Sequence, residues 1–274
     1  MADVQNQFDS RRIKIDQVGV KKIHYPINVK DRANGSQRTV ASVNMYVELP
    51  HHHKGTHMSR FIEVLAVHRH SIDTSTIPSI LSDMLIRLQA EAAHLELTFP
   101  FFMEKAAPVT GALSLLEYTC TLAGNQTGDE TDLSVSVEVP ITTLCPCSKE
   151  ISSYGAHNQR GAVTVKVRYK QFFWMEDLIR LVESSASSEV YALLKRADEK
   201  FVTERAYDNP RFVEDVVREV AVKLMANDNF TWFSVAAENF ESIHNHSAYA
   251  FLEFQRSDGP QAENGPLNGR KSDK

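Results

Sequence analysis

The feature that most restricts how this chain can fold is an order of hydrophobic patterns that runs through twice. In the first half, Ile23 to Val29 and Val40 to Leu49 alternate apolar and polar residues with the two-residue period of a strand. Two helical stretches follow, one with Met58, Phe61, Ile62 and Leu65 on a face, the other with Ile80, Leu81, Met84, Leu85 and Leu88. Strands near Leu95 to Phe101 and Leu115 to Leu122 close the unit. The second half repeats it. Leu133 to Val139 and Ala162 to Tyr169 read as strands, and Leu178, Ile179, Val182, Ala186, Val190, Leu193 and Leu194 mark a helix. Asn209-Pro210 supplies an N-cap and a first-turn proline for another helix, which buries Phe212, Val213, Val216, Val217, Val220 and Leu224. Strands at Thr231 to Ala237 and Ala248 to Phe254 end the set. Two tandem ββααββ modules predict an α+β protein, with antiparallel sheets and helices packed on one face.

The expected divisions are an N-terminal tail over 1–17, a first module over 18–125, a second over 126–255, and a disordered C-terminal tail over 256–274. That last stretch is crowded with Gly, Pro, Asn, Ser and Lys and has no periodicity to support a core. A length of 274 residues suffices for a sizeable core. The formal charge of −5 argues against a duplex-binding surface, though a few focused cations suffice for a small anion. No apolar run is long enough to span a bilayer, and the polar start from Met1 to Asp9 has no signal-peptide core. Three cysteines, two of them one residue apart, make no disulfide framework, so a reducing cytoplasm is expected.

Chemistry concentrates in Cys145-Pro146-Cys147-Ser148-Lys149-Glu150 and the run through Tyr154-Gly155-Ala156 to His157. Thiolate and imidazole hold zinc, iron or manganese; thiolate, ammonium and carboxylate also make nucleophiles and move protons. Pro146 favours a strand end or turn between the cysteines. A four-cysteine structural zinc site is excluded on count. The plain alternative is a buried pair of small apolar residues, but Lys149, Glu150 and His157 beside it argue for chemistry. Cys120, alone in an alternating strand, reads as core.

A second cluster, Glu238 to Ser247, puts Glu241, His244 and His246 between two strands, where one histidine can ligate a metal while the other moves protons. Its plain alternative is a hydrophilic hairpin loop. The charged run from Leu194 to Asp215 reads by pattern as a solvated connector, and His51 to His53 as a loop.

Together these segments resemble the type IB GTP cyclohydrolase family. The match is carried by Lys54-Gly55-Thr56-His57-Met58-Ser59-Arg60-Phe61, by Leu144 to Ile151, by Gly155-Ala156-His157-Asn158-Gln159-Arg160, by Asp198-Glu199-Lys200, by Asn209-Pro210 before Phe212-Val213-Glu214-Asp215, and by Glu238 to Tyr249. It spans roughly Val18 to Phe254 without departure at the motif positions. The resemblance implies the tunnelling fold (T-fold) and homotetramers with active sites between subunits. It also implies conversion of GTP and water to 7,8-dihydroneopterin triphosphate and formate, the entry to folate-type pterins. It assigns a divalent metal (Zn²⁺, Mn²⁺ or Fe²⁺) to Cys145, His157, Glu199 and His244, and proton transfer to His246 and Glu241. Glu214 becomes the guanine anchor, and Lys149, Arg160, Arg205, Lys54 and Arg60 the candidates for the triphosphate. Two rival readings remain at this level. One is a nitrile reductase of the same fold, using a cysteine and NADPH; the other is a non-catalytic purine-binding protein with a structural metal.

Overall fold

The computed structural model describes Gln5 and residues 7–256. In chain order the elements are β1 (Ile15–Asp31), β2 (Gly35–Leu49), α1 (Met58–His68), α2 (Ile77–Leu88), β3 (Ala92–Ala106), β4 (Leu113–Thr127) and β5 (Glu130–Leu144). Then come α3 (Pro146–Ile151), β6 (Asn158–Tyr169), α4 (Met175–Glu183), β7 (Ser188–Glu189), α5 (Arg196–Asp208), α6 (Val213–Met225), β8 (Phe230–Asn239) and β9 (Ala248–Gln255). The strands form one sheet, β1-β2-β3-β4-β5-β6-β8-β9, with every pairing antiparallel. The β4–β5 hairpin joins the two halves, so the sheet is continuous across them. Beyond Glu138 the ladder with β4 ends, and β7 pairs with β5 at Ile141 and Thr142.

Alternation explains which face is covered. On β3, Ala93, Leu95, Leu97, Phe99, Phe101 and Met103 are all buried, while the residues between them reach solvent in part. Side chains two apart share a face, so this stripe points one way. Against it lie Phe61, Val64 and Leu65 of α1 and Ile77, Ile80, Leu81, Met84 and Leu88 of α2. The second half repeats the arrangement with Leu178, Ile179 and Val182 of α4 and Val213, Val216, Val217, Val220 and Leu224 of α6. Each such side chain contributes about 1.5–3 kcal/mol on burial, which outweighs the weak propensity of the valine-rich α6 for helix. Gly124 of β4 lies close under α2: a Cβ there would stand 2.8 Å from Ile77 Cγ2 and from Leu81 Cδ1. Cys120 is fully buried, as its strand pattern requires.

Several boundaries differ from the sequence reading. The helix expected to continue through Leu194 ends at Glu183, because the chain turns at Ser184–Ser185 to lay Ser188 and Glu189 against β5. The charged connector is instead the helix α5. Asn209 does not cap α6; it ends α5, and its side-chain amide donates to the carbonyls of Ala186 (2.9 Å) and Ser187 (3.4 Å). Phe212 is the N-cap of α6, where Asp215 accepts its N–H at 3.0 Å. Met58 and Ile62, expected on the buried face of α1, are 42% and 37% exposed. Strand β1 begins at Ile15, within the stretch read as a tail. Arg256, read as the start of the other tail, is fastened by its N–H to Thr231 and by its guanidinium to Asp228. Residues 257–274 lie outside the described residues.

Candidate active site

The turn after β5 builds the centre of the site. Cys145 keeps an extended backbone and caps α3, its Sγ accepting the Ser148 N–H at 3.5 Å, while Pro146 occupies the first helical position. The Cys145 N–H donates to the His157 carbonyl at 3.1 Å, one rung beyond the Leu144–Asn158 pair of the β5–β6 ladder. Ser148 closes the lattice: its hydroxyl donates to the Cys145 carbonyl and accepts the His157 N–H, both at 3.2 Å. The backbones of Cys145 and His157 are thus fastened side by side, by one main-chain bond and the Ser148 hydroxyl. Cys145 and His157 are half-buried, and Cys147 is exposed.

The β8–β9 loop reaches the same place. Phe240 N–H donates to the Arg160 carbonyl at 2.8 Å, and the Ser242 hydroxyl lies 3.2 Å from His157 Nδ1. That ring nitrogen is also 3.0 Å from Gln159 Oε1. Further along, the rings of His244 and His246 stack at 5.2 Å and 18°, both exposed, with Glu241 half-buried before them. One strand end therefore gathers Cys145, His157 and the loop that carries Glu241, His244 and His246.

Glu199 stands apart. It is exposed in the first turn of α5, whereas the other end of that helix meets α3, where Lys149 Nζ donates to the Tyr207 carbonyl and sits 4.3 Å over its ring. Eight residues at 1.5 Å rise separate Glu199 from Tyr207 by about 12 Å. Among the described residues, no three His, Cys, Asp or Glu side chains of one chain form a group that could hold a metal ion. The donor types fit such an ion; in a single chain they are gathered only in part.

Glu214 lies exposed in the first turn of α6, and Arg211 N–H donates to the Leu144 carbonyl at 3.0 Å, so this helix start is pinned beside Cys145. Arg160 is exposed on β6, and Arg205 Nη1 is 3.7 Å from Glu189. Lys54 and Arg60 belong to the β2–α1 segment of the first half. There Arg60 donates to the Arg87 carbonyl, and β2 lies three strand spacings, about 14 Å, from β5.

Sequence reasoning missed Asp198. It is fully buried and accepts from Val109 N–H (2.8 Å), Thr110 N–H (2.9 Å), Thr110 hydroxyl (2.7 Å) and Lys195 N–H (2.9 Å). Burial opposes its ionisation, yet these donors outweigh it and hold the carboxyl well below the ordinary range. Asp198 thereby clamps the start of α5 to the β3–β4 turn. Its place beside Glu199 in a charged run concealed that role.

A continuous antiparallel sheet with its helices on one face, and the candidate site at its strand ends, defines a T-fold protein. Solved structures with this arrangement include the uricases of Arthrobacter globiformis (TM-score 0.53, 8% identity, 91% of this chain and 96% of that one) and Bacillus fastidious (0.52, 7%, 88% and 93%). Those likenesses show the fold alone. The particular family follows from sequence: the model of type I GTP cyclohydrolase folE2 matches residues 1–250, and the chain belongs to that family. Relatives named GTP cyclohydrolase FolE2 are 62% identical in Syntrophus aciditrophicus, 61% in Syntrophobacter fumaroxidans and 58% in Geobacter metallireducens. In each the match covers 92% of this chain, and 99%, 99% and 97% of the relatives respectively. The chain is an enzyme of this class; the reductase and non-catalytic readings find no support here. No helix among the described residues is long and apolar enough to cross a membrane.

Proposed function

We propose that the chain opens the imidazole ring of GTP by hydrolysis at C8, releases formate, and carries the product through rearrangement of the ribose and closure of the pterin ring to 7,8-dihydroneopterin triphosphate. The observation that carries this reading is the backbone lattice that sets Cys145 beside His157, with the Glu241–His246 loop at the same strand end, in a chain of this family. Cys145, His157, His244 and Glu199 would hold a divalent cation, Zn²⁺, Mn²⁺ or Fe²⁺, since sulfur, nitrogen and oxygen donors together suit all three. Such a cation supplies the Lewis acidity that brings the ionisation of water toward neutral pH. His246 and Glu241 carry protons, first to N7 of the purine and later in the rearrangement. The Glu214 carboxylate accepts the two parallel donors of the guanine edge, N1–H and the exocyclic amine. Lys149, Arg160 and Arg205, with Lys54 and Arg60 as further candidates, offset the charge of the triphosphate.

A homotetramer with sites between subunits accounts for the parts that one chain leaves separate, Glu199 above all. Support for assembly comes from the sheet itself. Both β1 and β9 are edge strands; β1 is partly closed by bonds of Asn28 and Lys30 to Arg69 and Ile72, while β9 exposes Tyr249 (64%) and Phe251 (55%). Three free cysteines suit a reducing cytoplasm.

Incubation with GTP and Mn²⁺ or Zn²⁺, followed by oxidation, should generate pterin fluorescence that chelator abolishes. The Cys145→Ala variant should lose turnover while keeping the circular dichroism and assembly state of the parent. Full activity in that variant would end the role given to the thiol.

A further inference from the structure

We infer that Gln159 is a positioning residue that fixes His157 with its proton on Nδ1 and its lone pair on Nε2, the form in which the ring can bind a metal ion; this rests on the metal reading above. Gln159 follows His157 by two positions at the start of β6, so the two side chains share a face. It is 7% exposed and stands opposite Thr143 in the β5–β6 register, and Thr143 is fully buried. Its amide is engaged at both ends. Nε2 donates to Thr143 Oγ1 at 3.0 Å, and Oε1 lies 3.0 Å from His157 Nδ1.

A carboxamide oxygen only accepts, and its nitrogen only donates. In the orientation the structure shows, the nitrogen donates to Thr143 and the oxygen faces His157, so Nδ1 brings the hydrogen. A neutral imidazole has a single N–H, so the lone pair is left on Nε2. That nitrogen has no hydrogen-bond partner among the described residues. The Ser242 hydroxyl, 3.2 Å from Nδ1, can share the same N–H as a second acceptor. Turning the amide over would set two N–H bonds against Nδ1, move the ring proton to Nε2 and remove the donor. Ligating histidines are commonly held in this way through the ring nitrogen that does not touch the metal.

The test titrates Zn²⁺ alone into metal-stripped full-length protein against a chromophoric chelator. Gln159→Met fills similar space without the carbonyl acceptor and should weaken Zn²⁺ binding by roughly 10–100-fold. Gln159→Glu keeps an acceptor facing Nδ1 and should stay within a few-fold of the parent. Turnover of Gln159→Met should recover as metal is raised, with KM for GTP unchanged. Parental Zn²⁺ affinity in Gln159→Met, or equal losses in the Met and Glu variants, would overturn the inference. If Gln159→Met does not fold, Thr143→Val frees the amide while leaving its contact with His157. It should then bind Zn²⁺ more weakly, and parental affinity there would count against the inference too. Parental Zn²⁺ affinity in His157→Ala would instead overturn the metal reading beneath it.

Discussion

Replacing Lys105 by Met should destabilise the fold by about 3 kcal/mol, through a buried charge network at the junction of the two halves. Lys105 reaches from β3 to Glu183 of α4 at 2.6 Å and Glu189 of β7 at 2.9 Å, and also donates to the Val190 carbonyl at 3.0 Å. The Lys105 side chain is 8% exposed and that of Glu183 5%, so neither charge has water to fall back on. Removing one partner of such a pair costs about 3–5 kcal/mol, because the other charge stays buried without compensation. The lower end applies here. Tyr118 still donates to Glu183 at 2.6 Å, and Arg205 still lies 3.7 Å from Glu189. For a chain of this size the loss corresponds to a fall in Tm of roughly 6–12 °C. Urea unfolding followed by circular dichroism, at one fixed protein concentration, reads it as a lower midpoint with unchanged slope. The double variant K105M/E183Q should recover part of the loss, since a neutral carboxamide in place of the Glu183 carboxylate needs no counter-charge and can still accept from Tyr118. A single-variant cost under about 1 kcal/mol would refute the reasoning, as would a double variant whose cost equals the sum of the two singles.

Further expectations concern the site and the core. Glu214→Ala should chiefly raise KM for GTP and leave kcat nearly intact, because it removes uniform binding of the guanine; an unchanged KM in steady-state kinetics would rule out the anchor. Acid should unfold the protein partly through Asp198 and Glu189. Burial raises the Glu189 pKa, but Lys105 and Arg205 outweigh it, so both carboxyls titrate lower in the folded chain than in the unfolded one. Their stabilisation is complete above the unfolded carboxylate range, about pH 4–5, and is lost as pH falls through the depressed folded values. Asp198→Asn should therefore flatten the decline of Tm between about pH 5 and 3, and a slope equal to the parent's would contradict the assignment. Gly124→Ala drives a methyl against Ile77, Leu81 and Leu133 and should cost about 1–3 kcal/mol, readable as a Tm several degrees lower; a neutral result would mean that α2 stands further from the sheet.

Strand positions were legible because their hydrophobic period is strict: from Ala93 to Met103 each inward residue of β3 is buried, and each is apolar in sequence. The charged helix α5 was not, since it has no apolar stripe. Of its 13 residues only Asp198 and Ala206 are buried, and Asp198 is buried because tertiary donors surround it. The end of α4 was overrun for the opposite reason. Val190, Leu193 and Leu194 continue a helical spacing, but pairing of β7 with β5 takes the chain elsewhere. Cys145 and His157 stood out as candidates by residue type, and their proximity follows from the β5–β6 ladder. The Lys105–Glu183 pair, 78 positions apart, leaves no local pattern to read.

The bond from Arg211 N–H to the Leu144 carbonyl, together with the amide of Asn209 on Ala186 and Ser187, has an implication for how such enzymes can diverge. The span between the thiol-bearing turn and the start of α6 is gauged by one main-chain bond, from Arg211 to Leu144, backed by the Asn209 side-chain amide on the turn before β7. On the proposed reading, a substitution at residue 214 would change which donors are read while the ruler between that helix start and the Cys145 turn keeps its length.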